Sequence, residues 1–447
     1  MSLSSIDPGL ITGTAGWQRS MAEFGEAGTV EAYLEFERAL ARAQRRAGLV
    51  PEGAARAIGT TCRMDRLDLD RLRAGALTVG YPIVALVAEA ASAVDALSVD
   101  AGRWVHFGAT SQDVMDTALV LQIRRLRDPL LVSLDRSLTH LGALAQTHMG
   151  AVMSGRSKLQ HAAPVSFGYR AAVWLDQLRR CRDGLASTFD ACAVVQFGGA
   201  VGTLAALGRQ GLAVRALLAE ELALAEPAIT WHVSRDRFAA LVQALALTCA
   251  GLGKIALDTS QLMATEIAEL REPYAPGRGS SSTMPQKRNP VLCEAILEAA
   301  RETRQAPAKM LEAMLQDHER ATGLCYLERR AVADTLAQAA GAADLTADLL
   351  AGLQVDAARM RTNIDLTGGL MMAEAAMIVL ADRLGRHEAH HLVQDACRRA
   401  EAEGRPLLDL LQEDLPELRD DLAGAFAPES YLGAQEDMIG RVLGRTG

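Results

Sequence analysis

A stretch of about forty residues without a proline, from Trp231 to Leu270, constrains the fold of this chain more than any other segment. Apolar side chains recur along it at spacings of three and four residues, a pattern typical of an amphipathic α-helix. We expect a single helix of about forty residues, roughly 60 Å long at 1.5 Å per residue. Because a helix of that length cannot bury its apolar stripe alone, it predicts a bundle of long helices shared between subunits.

The same spacing predicts further helices at residues 29–48 and at about 113–148, 166–190, 291–316 and 331–352. Thr29 is expected to be the N-cap of the helix at residues 29–48. Ala and Leu dominate the chain and aromatic residues make up only 4%, which favours helix packing over sheets. The sequence therefore predicts an all-α fold of three helical domains. These are an N-terminal domain over residues 1–108, a central long-helix bundle over 109–354 that forms a multi-helix core in a tetramer, and a C-terminal domain over 355–447.

Charge and cysteine usage exclude several classes of protein. The 447 residues carry a net charge of −9 without a basic block, which disfavours binding to nucleic acid. The seven cysteines form no CxxC pair and have no histidine at metal-ligand spacing, so we expect reduced thiols in a cytoplasmic protein. Met1–Pro8 lacks the features of a signal peptide, and the apolar runs are too short for us to expect a membrane-spanning helix.

The segment from Gly277 to Pro290 is the most unusual in the chain, because it places two glycines, three serines, a threonine and three cations between helical stretches. Its prolines forbid a continuous helix and its glycines permit strained backbone angles, so it is expected to be a loop. Hydroxyls, backbone N–H groups and the cation of Lys287 together suit a carboxylate or a developing oxyanion. An acidic protein that binds an acidic substrate must concentrate its cations locally, and this loop does so.

Three other polar breaks interrupt the helical pattern. Thr110, Ser111 and Gln112 lie at a helix start, where free N–H groups can bind an anion as readily as the side chains can cap the helix. His161 lies in a polar break where a titrating imidazole is useful. A glycine-rich stretch from Gln196 to Thr203 lacks GxGxxG spacing and is interpreted as a tight turn near a ligand or a neighbouring chain.

These segments together resemble the fumarase/aspartase superfamily. Ser281–Pro290 matches the superfamily loop GSSxMPxKxNP at its fixed positions, except that Ser280 stands where the leading glycine is expected. The stretch from His106 to Asp113 resembles the substrate-binding segment. Within the superfamily, Gln160–Val165 and Gln196–Ala200 most resemble the bacterial 3-carboxy-cis,cis-muconate cycloisomerases.

The resemblance implies addition and elimination across a C–C bond beside a carboxylate of a small polycarboxylate substrate, without a metal or organic cofactor. In such enzymes a loop serine removes the proton, which corresponds here to Ser281; Lys287 stabilises the anionic intermediate and His161 is the complementary acid. The residues implied to bind substrate are Thr110, Ser111, Gln112, Gln196, Ser282, Thr283, Met284, Asn289 and Arg320. A homotetramer whose active sites combine segments from several chains is also implied.

Three functions remain open at this point. The first is the cycloisomerase, and the second is a lyase of a substituted succinate of the adenylosuccinate, nitrosuccinate or iminodisuccinate type. The third, a catalytically silent helical scaffold, is disfavoured by the intact set of Ser281, Lys287 and Asn289. The sequence departs from the cycloisomerase pattern at Lys158, at Gln286 and over Cys325–Arg329, so the class of chemistry is better specified than the substrate.

Overall fold

The structure is a computed structural model that describes residues 9–444, so the prediction that Met1–Pro8 is not a signal peptide lies outside the described residues. The fold is all-α, as predicted, with two small sheets. The α-helices are α1 Ala15–Phe24, α2 Glu26–Arg46, α3 Glu52–Thr61, α4 Leu69–Val79, α5 Pro82–Leu97, α6 Ser111–Thr147, α7 Phe167–Cys192, α8 Gly211–Leu222, α9 Asp236–Leu262, α10 Val291–Thr303, α11 Ala306–Ala313, α12 Leu324–Ala351, α13 Ala357–Ile364, α14 Ala373–Leu384, α15 Arg386–Glu403, α16 Leu407–Asp414, α17 Arg419–Ala425 and α18 Gln435–Val442. The strands are β1 Val152–Ser157, β2 Gln160–Ser166, β3 Leu270–Arg271 and β4 Gln354–Val355.

The longest predicted helix is shorter than expected. Helix α9 has 27 residues rather than about forty, so it spans roughly 40 Å. Trp231 is held outside the helix because its backbone N–H donates to the Gln196 side chain and its indole N–H donates to the Val195 carbonyl. At the other end, Ala268 adopts a left-handed backbone with φ of 52°, which no continuous right-handed helix allows.

Three further helix predictions need correction. Helix α2 begins at Glu26, so Thr29 is not its N-cap and instead donates its hydroxyl to the Phe24 carbonyl. The helix expected at 291–316 is divided into α10 and α11, because Pro307 lacks an N–H and its ring obstructs the carbonyl one turn earlier. Helix α12 begins at Leu324, earlier than the predicted residue 331. Helices α6 and α7 agree with the predicted ranges to within two residues.

The polar break around His161 contains an antiparallel hairpin formed by β1 and β2. Arg156 lies opposite His161 in its register. The turn residues Lys158 and Leu159 have φ of 51° and 69°, the left-handed conformation that a two-residue hairpin turn of type I′ requires. The sequence predicted a break here but not a hairpin.

Spatial proximity divides the chain into two compact units. Unit 1 comprises Met1–Leu134, Cys181–Leu252 and Ala295–Leu345, and unit 2 comprises Asp135–Arg180, Gly253–Glu294 and Thr346–Gly447. The division into three domains along the chain stays a prediction. In unit 2, α14 to α17 enclose an apolar cluster that includes Leu380, Val393, Leu411 and Leu422.

One helix in the described part of the chain, α9, has the length and composition of a membrane span. In its most apolar window 61% of the residues are buried inside the protein. A helix that packs most of an apolar surface against its own protein is typical of a core helix.

A buried ion pair holds the segment that precedes α6. The backbone N–H of His106 donates to Glu37 over 3.0 Å, and its ring Nδ1 lies 2.7 Å from the same carboxylate. Burial, the largest effect, lowers the pKa of His106, but the charge and the hydrogen bond of Glu37 and the charge of Asp113 together outweigh it and raise this pKa above its ordinary value. The pair thereby fixes the start of α6 against α2.

This pair predicts a pH dependence of stability. A histidine with a raised folded-state pKa contributes stability that is fully present below its unfolded pKa of about 6.5 and is lost as the pH rises through the folded pKa. As the pH rises above about 6.5, we expect the free energy of unfolding of the wild type to fall more steeply than that of His106→Gln. Urea denaturation across this range checks it, and identical pH profiles for the two proteins would contradict it.

Candidate functional site

In unit 1, a buried carboxylate brings the start of α6 and the glycine-rich turn together. Asp113 accepts hydrogen bonds from the backbone N–H groups of Thr110, Gly198 and Gly199 over 2.9–3.0 Å and from the Gln196 side chain over 3.2 Å. Burial raises the pKa of Asp113 to about 6, against the opposing effect of these donors. The turn is therefore tied to the helix start that carries Thr110 and Ser111, with the backbone N–H groups of Gly198 and Gly199 donated to Asp113.

Gln112 and Arg320 also lie together in unit 1. The Gln112 amide donates to the His232 carbonyl over 2.7 Å and to Asp116 over 3.0 Å, and its oxygen accepts from the Arg320 guanidinium. Arg320 also donates to the Ala200 carbonyl over 2.8 Å. The exposed guanidinium is thus held over the glycine-rich turn, where its remaining N–H groups can meet a carboxylate.

A fully buried ion triad underlies this cluster and was missed by the sequence reasoning. Arg235 donates to Asp116 over 2.7 and 3.0 Å and to Glu328 over 2.8 Å, and all three side chains are at most 3% exposed. Asp116 is shared between Arg235 and Gln112. Through Asp116, the triad therefore fixes the position of the Gln112 side chain. Gln112 in turn positions Arg320, from which it accepts a hydrogen bond.

In unit 2, the loop from Gly277 to Pro290 is closed at its base. Ser280 and Arg288 pair as an antiparallel bridge. The Gly279 carbonyl accepts from both the backbone N–H of Asn289, over 2.9 Å, and its side chain, over 3.1 Å. The role of Asn289 in this geometry is to hold the two ends of the loop together.

The hydroxyl of Ser281 faces donors of its own loop. Its Oγ accepts from the backbone N–H of Met284 over 3.1 Å and from that of Thr283 over 3.4 Å. N–H groups aimed at a hydroxyl oxygen stabilise its deprotonated form, which is what a serine needs in order to act as a base. Lys287 is exposed and forms no ion pair within the described residues, so its charge is free for an anion.

The loop borders an open cavity of about 1050 Å³, lined by Met284, Gln286, Lys287 and Asn289 among others. Ser282 and Thr283 are exposed on the loop, outside the described lining of that cavity. This cavity volume is at the upper end of the range that is typical of small-molecule binding sites.

His161 lies on β2 and lines a different cavity of about 780 Å³. The two cavities share Ala264 in their linings. The His161 ring Nδ1 lies 3.3 Å from the Ser154 hydroxyl. Burial, followed by the charge of Arg156, lowers the pKa of His161, which favours its neutral imidazole.

The candidate residues thus form two groups. Unit 1 holds Thr110, Ser111, Gln112, Gln196 and Arg320, and unit 2 holds His161, Ser281, Ser282, Thr283, Met284, Lys287 and Asn289. Within the part of the chain that the structure describes, no three His, Cys, Asp or Glu side chains are placed to hold a metal ion. The catalytic and binding roles of these residues stay predictions.

Comparison with known proteins identifies the family. A model described as lyase matches residues 16–304, and one described as adenylosuccinate lyase C-terminus matches residues 369–442. The 3-carboxy-cis,cis-muconate cycloisomerase of Pseudomonas aeruginosa is 43% identical, over 94% of this chain and 93% of its own. The crystal structure of the 3-carboxy-cis,cis-muconate lactonizing enzyme from Pseudomonas putida superposes with a TM-score of 0.90 at 39% identity, over 95% of this chain and 96% of that one.

Nitrosuccinate lyase of Streptomyces davaonensis is also similar, with 38% identity over 98% of this chain and 95% of its own. The names of these relatives therefore include a cycloisomerase and a lactonizing enzyme, which close a ring, and a lyase, which carries out an elimination. With a family model that covers more than half of its residues and relatives aligned over nearly its whole length, the chain belongs to the lyase family of the fumarase/aspartase superfamily.

Proposed function

We propose that this protein is a 3-carboxy-cis,cis-muconate cycloisomerase. The observation that carries the proposal is the loop of unit 2, in which two backbone N–H groups are directed at the Ser281 oxygen and Lys287 is left without a counter-charge among the described residues. Relatives with this activity in their names are 42% and 43% identical to the chain, which supports the substrate assignment.

In the lactonising direction, an oxygen of one substrate carboxylate adds to an alkene carbon and forms the C–O bond of the ring. The π electrons move towards a second carboxylate and give an aci-carboxylate, which Lys287 stabilises. The adjacent carbon then takes the proton of the Ser281 hydroxyl. The resulting alkoxide is held by the N–H groups of Thr283 and Met284 until a proton from solvent restores it.

A second candidate is a lyase of a substituted succinate. Its support is the similarity to nitrosuccinate lyase together with the departures from the cycloisomerase pattern at Lys158 and Gln286. In that reaction the Ser281 alkoxide takes a proton from carbon, the neighbouring C–N bond breaks, and fumarate or a related alkene is released.

The proposed enzyme is a cytoplasmic homotetramer. Large apolar side chains are exposed along the long helices, among them Val132, Leu247 and Leu257, and such surfaces are typical of subunit contacts. Sedimentation analysis of the purified protein tests the assembly, and an active monomer would contradict it.

An ultraviolet assay tests the substrate. We expect the diene absorbance of 3-carboxy-cis,cis-muconate to fall on addition of the enzyme, with one lactone formed for each molecule consumed. Nitrosuccinate and adenylosuccinate serve as comparison substrates. Fumarate release from either, without loss of the diene signal from the muconate, would establish the lyase instead.

A further inference from the structure

Three histidines lie close together near the start of helix α15, outside the two groups of candidate residues described above. They are His387, His390 and His391, and all three side chains are exposed. The rings of His387 and His391 have their centroids 4.7 Å apart, and those of His390 and His391 are 5.8 Å apart. Imidazole is a preferred ligand of Zn²⁺, Ni²⁺ and Cu²⁺. The cluster is therefore a candidate site for a divalent transition-metal cation.

Helix geometry selects one pair from this cluster. His387 and His391 are four residues apart, so they lie one turn apart on the same face of α15. Two imidazoles that bind one cation through nitrogen at about 2.0–2.1 Å have ring centroids roughly 4.5–5 Å apart, and the observed 4.7 Å falls within this range. His390 and His391 are consecutive, and consecutive residues point to different sides of a helix. Their larger separation of 5.8 Å agrees with this.

The surface around this pair can accept a cation. His387 and His391 line the same open cavity of about 490 Å³, where the positive charge of Arg386 is offset by the negative charge of Glu388. The positive end of the helix dipole opposes a cation here, but at an exposed helix end this effect is small beside two metal–nitrogen bonds. The N-cap residue of α15, Gly385, has no side chain to cap the first turn. A cation that joins the first two turns would therefore stabilise the start of the helix.

The same residues form an H-E-x-x-H sequence from His387 through Glu388 to His391, which in metallopeptidases supplies two zinc ligands and a general base. A catalytic zinc site has three protein ligands. Among the residues that the structure describes, no third His, Cys, Asp or Glu side chain is placed with the two histidines to hold a metal ion. The geometry therefore favours a binding site completed by water over a hydrolytic centre.

We propose that His387 and His391 form a surface site for one divalent transition-metal cation. The two imidazoles are the protein ligands, and water fills the remaining coordination positions. The bound cation joins the first two turns of α15 and stabilises this end of the helix. The site is independent of the proposed reaction, because neither histidine belongs to the described lining of the cavity beside the loop from Gly277 to Pro290.

Calorimetric titration of the whole chain, without an affinity tag, with Ni²⁺ tests the proposal. We expect the wild type to bind Ni²⁺ at this site, and His387→Gln and His391→Gln each to weaken the binding about tenfold or more. His390→Gln is the matched control, since it makes the same substitution in the same cluster and keeps the proposed pair. Its affinity is expected to stay within about twofold of that of the wild type.

Thermal unfolding supplies the folding control and a second measurement. Because all three histidines are exposed, we expect each substitution to leave the Tm without metal nearly unchanged. Ni²⁺ should raise the Tm of the wild type and of His390→Gln, but not that of His387→Gln or His391→Gln. Equal Ni²⁺ affinity in the wild type and His391→Gln, or no Ni²⁺ binding to the wild type, overturns the proposal. A loss of binding confined to His390→Gln overturns the assignment of the pair.

Discussion

Replacement of Ser281 by alanine is expected to lower kcat on 3-carboxy-cis,cis-muconate by about 10²–10⁴-fold, the range found when a positioned proton donor or acceptor is removed. Ser281 is the one hydroxyl of the loop that receives two backbone N–H groups, from Thr283 and Met284, among the described residues. Its loss removes the group that exchanges the proton with carbon, while the cations that bind the substrate remain. KM is therefore expected to change much less than kcat, as steady-state ultraviolet kinetics will show.

Ser280→Ala provides the matched control for this variant. Ser280 adjoins Ser281, but its hydroxyl donates to the Gly277 carbonyl over 2.9 Å and receives no N–H group in the described loop. We expect this control to keep most of its activity. Full activity in Ser281→Ala, or an equal loss in both variants, would show that Ser281 is not the proton-transferring group.

Glu328→Gln is expected to destabilise the protein by about 1.5–3 kcal/mol, the range for a lost hydrogen bond to a charged group, because Arg235 still keeps Asp116 as its counter-charge. Arg235 is held between Asp116 and Glu328, and all three are at most 3% exposed. With Glu328 neutral, the guanidinium keeps only one counter-charge in a region from which water is excluded. Urea denaturation at pH 7 measures the change in the free energy of unfolding.

Glu52→Gln is the matched control, since it makes the same substitution in an exposed pair. The Arg56–Glu52 pair is about three-quarters exposed, at 74% and 68%, so its loss should change stability by no more than about 0.5 kcal/mol. Equal effects of the two substitutions would show that the triad contributes no more than a surface ion pair. Because Asp116 also holds Gln112, we further expect KM to rise in Glu328→Gln.

Apolar spacing predicted the helices where polar breaks define both ends, as for α6 and α7. It failed where a distant contact ends a helix. The N-terminal boundary of α9 depends on the hydrogen bond between Trp231 and Gln196. These two residues are far apart in sequence, and neither residue type argues against a longer helix. The β1–β2 hairpin was missed because its left-handed turn is formed by Lys158 and Leu159, without the glycine or asparagine that usually marks such a turn.

The loop of the candidate site could be predicted because its residues are consecutive and the motif is long. The groups that support the site could not, since they come from separate parts of the chain. Arg235 meets Glu328 across 93 residues and Asp116 across 119.

The closed base of the loop has an energetic consequence for ligand binding. The bonds from Asn289 to the Gly279 carbonyl and the bridge between Ser280 and Arg288 join the ends of the segment before any ligand arrives. Ordering a free residue costs about 1–2 kcal/mol of backbone conformational entropy, and this segment has already lost part of that freedom on folding. More of the interaction energy between Lys287 and an anion therefore appears as affinity, because less of it is consumed in ordering the chain.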